Sequence, residues 1–229
     1  MLALHSYRLV NEEEFLYFYQ QIKIKLPPYL LEKIESFKFM ADKQRSLIGH
    51  LIVLRFYSKL LNINWKEILF DYNEHDKPSI KGRENHFFNI SHSGNQVVAA
   101  FSDHNIGIDV EKIKGDRRKI ANRFFTSSEI ADMKAIENED EQVKYFYQLW
   151  TLKESYMKAI GKGMTLSLSS FAFKKEQDEF KLAFSKEGMN WHFYSPKWEE
   201  GYYLSLCCKN KEKIKKSEIL LNDLKLFFL

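Results

Sequence analysis

The chain reads as an α+β protein in which small, mainly antiparallel sheets are covered by helices. Three observations predict this. Residues 41–62 and 143–160 carry apolar side chains at three- and four-residue spacing, the period of amphipathic helices. Three short apolar runs, Phe87 to Ser91, Val97 to Phe101 and Ile106 to Glu111, are separated by Ser93-Gly94-Asn95 and Ser102-Asp103-His104-Asn105, the pattern of an antiparallel meander. The second half also repeats the layout of the first, strand then helices then short strands, without a convincing sequence repeat.

Taken in order, Leu2 to Val10 alternates as a strand, and Asn11-Glu12-Glu13-Glu14 opens a helix with acids in its first turn. Pro27-Pro28 breaks that helix and a new one begins near Tyr29. Arg45, Ile48, Leu51, Ile52, Arg55 and Phe56 mark a longer helix ending near Asn62. Ile68 to Tyr72 is a short strand, and Asn73-Glu74-His75-Asp76-Lys77-Pro78 is turn-rich. After the meander come helices from Ile120 to Gly161, then strands near Leu166–Phe173, Phe180–Phe184, Trp191–Tyr194 and Tyr202–Cys208. The tail from Lys209 to Lys216 is expected to be a solvated basic segment.

A chain of 229 residues is long enough to bury a real core as one domain or two small ones. The net charge of +4 suits a polyanionic small ligand or an acidic protein partner and is too weak to argue for nucleic acid. Cys207 and Cys208 are adjacent, so in a strand they face opposite ways and a mutual disulfide is not expected. Buried thiols in a reducing cytoplasm are the expectation. No stretch approaches the roughly 20 apolar residues of a membrane span. A soluble, cytoplasmic protein follows.

Two acidic groupings resist a bland reading. In Ile106 to Glu111 the alternation places Asp109 and Glu111 on one strand face, one pleat apart, where two carboxylates repel unless something positive lies between them. Glu154 interrupts a helical stripe, four residues after Trp150 and four before Lys158. A strand pair plus one helical Glu suits a hard cation, and oxygen-only ligation favours Mg²⁺ or Mn²⁺ over Zn²⁺. The alternative is an exposed polar edge for the strand acids and a solvated Glu154–Lys158 pair, the latter contributing roughly 0.2–0.5 kcal/mol. Spacing alone leaves both open.

Gly107-Ile108-Asp109-Val110-Glu111 followed by Trp150-Thr151-Leu152-Lys153-Glu154-Ser155-Tyr156-Met157-Lys158 resembles the paired signature of the 4'-phosphopantetheinyl transferases. Arg123-Phe124-Phe125-Thr126-Ser127-Ser128-Glu129 lies between them, as in that family. Asn89-Ile90-Ser91-His92-Ser93-Gly94 and Lys77-Pro78 match motifs of its longer, surfactin-synthetase-activating type. The resemblance implies two similar α/β halves, residues 1–104 and 105–229, packed as a pseudo-dimer with the cofactor between them. It implies transfer of phosphopantetheine from coenzyme A to a serine of an acyl or peptidyl carrier protein, by a monomer. Asp109, Glu111 and Glu154 would then hold Mg²⁺, or Mn²⁺ in its place. Lys33, Arg45, Lys77, Pro78, Ser91, His92, Lys153 and Lys158 would contact coenzyme A. Glu154, Glu129 or a metal-bound water would take the serine proton, with Glu154 as ligand and Glu129 as an assisting acid the favoured division, and Lys158 would act in catalysis as well as binding. The basic and aromatic segment Arg117 to Phe125 would meet the carrier. Two positions depart from the family pattern: Leu30 stands where a first lysine is common, and Asp76 where a glycine precedes Lys-Pro. A non-catalytic coenzyme A- or carrier-binding module and a metal-dependent phosphodiesterase remain as alternatives.

Overall fold

The computed structural model describes residues 1–176 and 179–229. The first half runs β1 (Leu2–Arg8), α1 (Glu12–Ile22), α2 (Pro28–Glu35), α3 (Met40–Leu61), β2 (Phe70–Tyr72), β3 (Pro78–Ile80), β4 (Phe87–Ser93) and β5 (Gln96–Ser102). The second runs β6 (Ile106–Lys112), α4 (Ala121–Phe124), α5 (Ser127–Lys134), α6 (Glu139–Ile160), β7 (Ala172–Glu176), β8 (Glu179–Phe184), β9 (His192–Tyr194) and β10 (Tyr202–Cys208). A closing pair, β11 (Lys215–Glu218) and α7 (Leu221–Phe228), completes the chain.

The halves share one plan. Each sheet is antiparallel, ordered β1-β5-β4 in the first and β6-β10-β9 in the second. Each half has one 22-residue helix, α3 or α6. These end on residues in the left-handed conformation, Asn62 at φ 52° and Gly161 at φ 80°, and each is followed by a two-stranded hairpin. Local chemistry sets the starts. Asn11 accepts the Glu14 amide at α1, Asn138 the Glu141 amide at α6, and Thr126 forms a reciprocal capping box with Glu129 at α5.

Three apolar clusters hold the plan together. Phe15, Phe18, Leu51 and Tyr57 pack over β1 and β5; Tyr156, Phe171, Phe173 and Trp191 pack around α6. The third joins Leu2, Leu4, Val98 and Ala100 of the first half to Ile108, Val110, Leu204 and Leu206 of the second. Full burial of such a side chain contributes roughly 1.5–3 kcal/mol, so this shared layer binds the halves into one body.

Two expectations are corrected and a third is extended. The meander stops at β5, because β6 pairs with β10 and lies alongside β4 without a backbone ladder between them. The strand expected from Leu166 begins only at Ala172, after two short 3₁₀ turns at Gly163–Thr165 and Leu168–Ser170. The Lys209–Lys216 tail is exposed or half-exposed as expected, but Lys215 and Lys216 open β11, which adds to the outer edge of β1 in parallel, and beyond the tail Ile219, Leu221, Leu224 and Phe228 enter the core of the first half. The 104/105 boundary falls in the turn from β5 to β6, yet residues 215–229 return across it.

Candidate active site

The site forms where α6 crosses β6. At Gly107 an added Cβ would lie 2.0 Å from the Ser155 carbonyl oxygen and 2.4 Å from the Ala159 nitrogen, so only glycine lets the helix lie this close. Ser155 and Ala159 face the strand, and the same crossing brings Glu154 and Lys158 over Asp109. Gly107 was not singled out from the sequence, although a glycine in the middle of an alternating strand is the signal for such an approach.

Asp109, Glu111, Trp150, Glu154 and Lys158 line one cavity of ≈ 480 Å³, together with Lys33, Pro78, Ser91 and His92. The structure therefore brings together most of the residues assigned from sequence. Asp109 is buried at 3% exposure, which corrects the exposed-edge alternative. Its Oδ1 accepts from the Lys158 ammonium at 2.6 Å and the Ser91 hydroxyl at 3.0 Å; its Oδ2 is buried with no partner. Burial holds the Asp109 carboxyl above its ordinary pKa despite Lys158 and Ser91. Glu111 accepts from the Ser93 hydroxyl at 2.7 Å, and burial, aided by the Asp109 charge, also raises its pKa. Glu154 is pushed up to about 7, by burial first and by the Asp109 charge second. The alternative of a solvated Glu154–Lys158 pair is not what forms, since the ammonium lies against Asp109 instead. Burial pulls the Lys158 pKa down, but the Asp109 charge and hydrogen bond outweigh it and the net shift is upward.

Among the described residues no three His, Cys, Asp or Glu side chains are gathered into a ready metal shell. The donor set still fits a hard cation. Three carboxylates from two elements face one cavity, each held above its ordinary pKa, and one carboxylate oxygen is buried unpartnered. Of the two lysines on the cavity only Lys158 pairs with an acid, which leaves three carboxylates short of positive charge, and oxygen donors suit Mg²⁺ or Mn²⁺.

Two assignments are corrected, those of Lys153 and Glu129, while Arg45 and Lys77 lie beside this cavity. Lys153 is fully buried: its ammonium pairs with Glu129 at 2.9 Å and donates to the carbonyls of Leu168 and Phe171, both at 2.8 Å. All three N–H donors are thus used inside the second half, and none is left for a phosphate. Glu129 is equally buried. One oxygen takes the Thr126 amide and hydroxyl and the other the Phe173 amide, so it anchors α5 to β7 rather than serving as an acid at the cavity. Arg45 is held by Asp42 and the Gly94 carbonyl and does not line the cavity. Lys77 donates to the carbonyls of Ile106 and Ala159, clipping β6 to α6, and burial lowers its pKa to about 8. It lines a neighbouring cavity of ≈ 400 Å³, whose wall includes Pro78.

The two departures from the family pattern have structural accounts. Leu30 is fully buried on the inner face of α2, where a phosphate contact has no access. Asp76 adopts φ 59°, the left-handed turn conformation that glycine takes most easily and aspartate tolerates. His50 and Ser46 of α3 also face the cavity and were not picked out, because both sit within an apolar helical stripe.

The sequence matches two family models in tandem, 4'-phosphopantetheinyl transferase, N-terminal, over residues 13–104, and the 4'-phosphopantetheinyl transferase superfamily over residues 105–207. It is 35% identical to the 4'-phosphopantetheinyl transferase Sfp of Bacillus subtilis (strain 168) over 82% of this chain and 84% of that one. It is 40% identical to the 4'-phosphopantetheinyl transferase gsp of Aneurinibacillus migulanus, over 72% of this chain and 69% of that one. A solved holo-[acyl-carrier-protein] synthase from Thermotoga maritima aligns with a TM-score of 0.41 at 21% identity, covering 48% of this chain and 64% of its own. With the site geometry and both halves matched, the chain belongs to the 4'-phosphopantetheinyl transferase superfamily.

Proposed function

We propose that this enzyme holds Mg²⁺, with Mn²⁺ as a substitute, between Asp109, Glu111 and Glu154 while it transfers 4'-phosphopantetheine from coenzyme A to a serine hydroxyl of an apo carrier protein. The observation that carries the reading is the meeting of three carboxylates in one cavity, with Asp109 Oδ2 buried and unpartnered. When bound, the cation supplies neutralisation of charge on the pyrophosphate. Lys158 and Lys33 line the same cavity and offer further positive charge to the phosphates, and Ser91 and His92 offer hydrogen bonds. Glu154, a wall of the same cavity, is the proposed acceptor of the serine proton, directly or through a water. The serine oxygen forms its bond to phosphorus, its proton passes to Glu154, and the pyrophosphate P–O bond breaks to release adenosine 3',5'-bisphosphate.

The carrier is proposed to dock along α4. Arg117, Lys119 and Arg123 are exposed there, whereas Arg118 is tied to Asp116, Gln142 and Glu139. Phe125 is core, and Phe124 packs edge-on against Trp150, which is itself a wall of the cavity. An acidic carrier is the chemistry such a surface suits. Arg117→Glu combined with Arg123→Glu should lower kcat/KM for the carrier by slowing association, with affinity for coenzyme A unchanged; an unaltered kcat/KM removes the surface. A monomer is the proposed working unit, because both halves of one chain contribute walls to the cavity, Ser91 and His92 from the first and Asp109 and Glu154 from the second. No helix among the described residues is long and apolar enough to cross a membrane, and a cytoplasmic location is proposed from the two buried, free thiols.

The test is incubation with apo-carrier, coenzyme A and Mg²⁺, followed by the intact mass of the carrier. The expected result is a gain of one phosphopantetheinyl group that depends on Mg²⁺. An unchanged carrier with coenzyme A still bound would point to a binding module, and loss of the group from holo-carrier would point to a phosphodiesterase.

A further inference from the structure

Asn89, Ser91 and Ser93 take alternate positions on β4 and face β6. Asn89 Oδ1 accepts the Ile108 amide at 2.9 Å, Ser91 Oγ the Val110 amide at 3.3 Å and Ser93 Oγ the Lys112 amide at 3.1 Å. The two strands thus meet through a ladder of short side chains instead of a backbone ladder. Two rungs carry a second bond: Ser91 donates to Asp109 Oδ1 and Ser93 to Glu111 Oε2.

These rungs are directional. A serine hydroxyl has one proton, and a backbone amide can only donate to it, so the amide of β6 occupies an acceptor position and the proton is left to aim at the carboxylate. Asp109 is steadied by Lys158 as well as by Ser91. Glu111 lies near the end of β6, half-buried on a longer and freer side chain, with Ser93 as its donor. Ser93 is itself rigidly placed: it is 6% exposed, and the following Gly94 takes φ 55° with space for a Cβ closed off by the Tyr202 hydroxyl at 2.5 Å. That hydroxyl also accepts the Asn95 amide at 3.0 Å, pinning the turn behind the serine.

We propose that Ser93 is a positioning residue for the transfer reaction. Its hydroxyl fixes the Glu111 carboxylate toward the cavity and thereby sets the affinity for the divalent cation. The inference rests on the assignment of Glu111 to that cation.

The experiment is a calorimetric titration of Mg²⁺ into the full-length protein saturated with coenzyme A, for wild type, Ser93→Ala, Glu111→Ala and the double variant, with thermal melts alongside. Ser93→Ala is expected to weaken Mg²⁺ binding about 10-fold, the low end of the effect of groups that orient metal ligands. It should leave coenzyme A affinity without Mg²⁺ unchanged and add nothing in the Glu111→Ala background, while Ser93→Thr restores wild-type binding. Unchanged Mg²⁺ affinity in Ser93→Ala overturns the proposal. So does an undiminished effect of Ser93→Ala when Glu111 is already alanine, since the serine would then act through the strand junction. If Ser93→Ala fails to fold, Ser93→Thr against Ser93→Val isolates the hydroxyl, and equal Mg²⁺ affinity in that pair overturns it too. If Glu111→Ala leaves Mg²⁺ binding intact, the cation assignment itself falls; if only Ser93→Ala is silent, that assignment stands.

Discussion

β1 and β6 hold equivalent places in the two halves, yet their outer edges are closed in different ways. The outer edge of β1 receives β11 in parallel, with Ala3 to Ser6 opposite Lys215 to Glu218 and the Ile219 amide donating to the Ser6 carbonyl. The outer edge of β6 receives side chains from β4. A backbone ladder sets neighbouring strands about 4.8 Å apart and consumes the edge's hydrogen bonds. Side-chain rungs insert hydroxyls and an amide between the strands and keep hydrogen bonds to spare for neighbouring groups. The first edge is only a closure. The second is a site, because the spare capacity falls on Asp109 and Glu111.

Removing residues 215–229 tests the first edge and should have the largest effect. It strips β11 and takes Ile219, Leu221, Leu224 and Phe228 from the core. Four such side chains at roughly 1.5–3 kcal/mol each approach the whole stability of a typical domain, about 5–15 kcal/mol. The truncated chain should show no cooperative melt by circular dichroism. A wild-type melting temperature would mean that β1 needs no cover.

On the second edge, Asp109→Ala should abolish transfer and lower the melting temperature by several degrees. It removes the acceptor of a buried Ser91 hydroxyl and leaves the Lys158 ammonium without its ion-pair partner. Turnover near wild type in Mg²⁺ would break the link between this edge and catalysis. Lys153→Met sharpens the contrast between site and scaffold. It leaves Glu129 uncompensated in the interior, at a cost of roughly 3–5 kcal/mol, with coenzyme A affinity unchanged. Calorimetry showing weakened coenzyme A binding would return Lys153 to the site.

The smallest effect concerns pH. The Glu154 carboxyl is held at about 7 against an ordinary 4.5, so the folded state binds this proton more tightly than the unfolded chain. Its contribution is full below about 4.5 and is lost as pH rises through 7. Without divalent cation, Glu154→Gln should therefore melt a few degrees higher than wild type at pH 8, and the difference should shrink toward pH 5. A difference that does not vary with pH would contradict the burial of that charge.

Much of this was legible in the residues. The helix start at Asn11, the break at Pro27-Pro28 and the stops near Asn62 and at Gly161 are local chemistry, and sequence carries local chemistry well. Glu154 stood out because charge interrupts a helical stripe, Lys158 by its spacing four residues later, and Asp109 and Glu111 because alternation puts two carboxylates on one strand face. Pairing across distance was not legible. Nothing in the run from Val97 to Glu111 announces that β6 leaves β5 for β10, since each strand alternates equally well with either partner. Lys153 and Glu129 illustrate the same limit. Their types suit a phosphate site, but the side of α6 on which Lys153 lies depends on packing that buries this helix on more than one face. Ile219, Leu221, Leu224 and Phe228 do carry a readable helical spacing, obscured by the lysines before them.

Asp109, Glu111 and Glu154 are proposed to hold one cation at the junction of the two halves. The most direct measurement is the anomalous diffraction of Mn²⁺ in crystals grown with coenzyme A. The account predicts a single strong peak within ligand distance of those three carboxylates, lost in crystals of Asp109→Asn. A peak elsewhere, or ordered coenzyme A with no peak at the three acids, would contradict it.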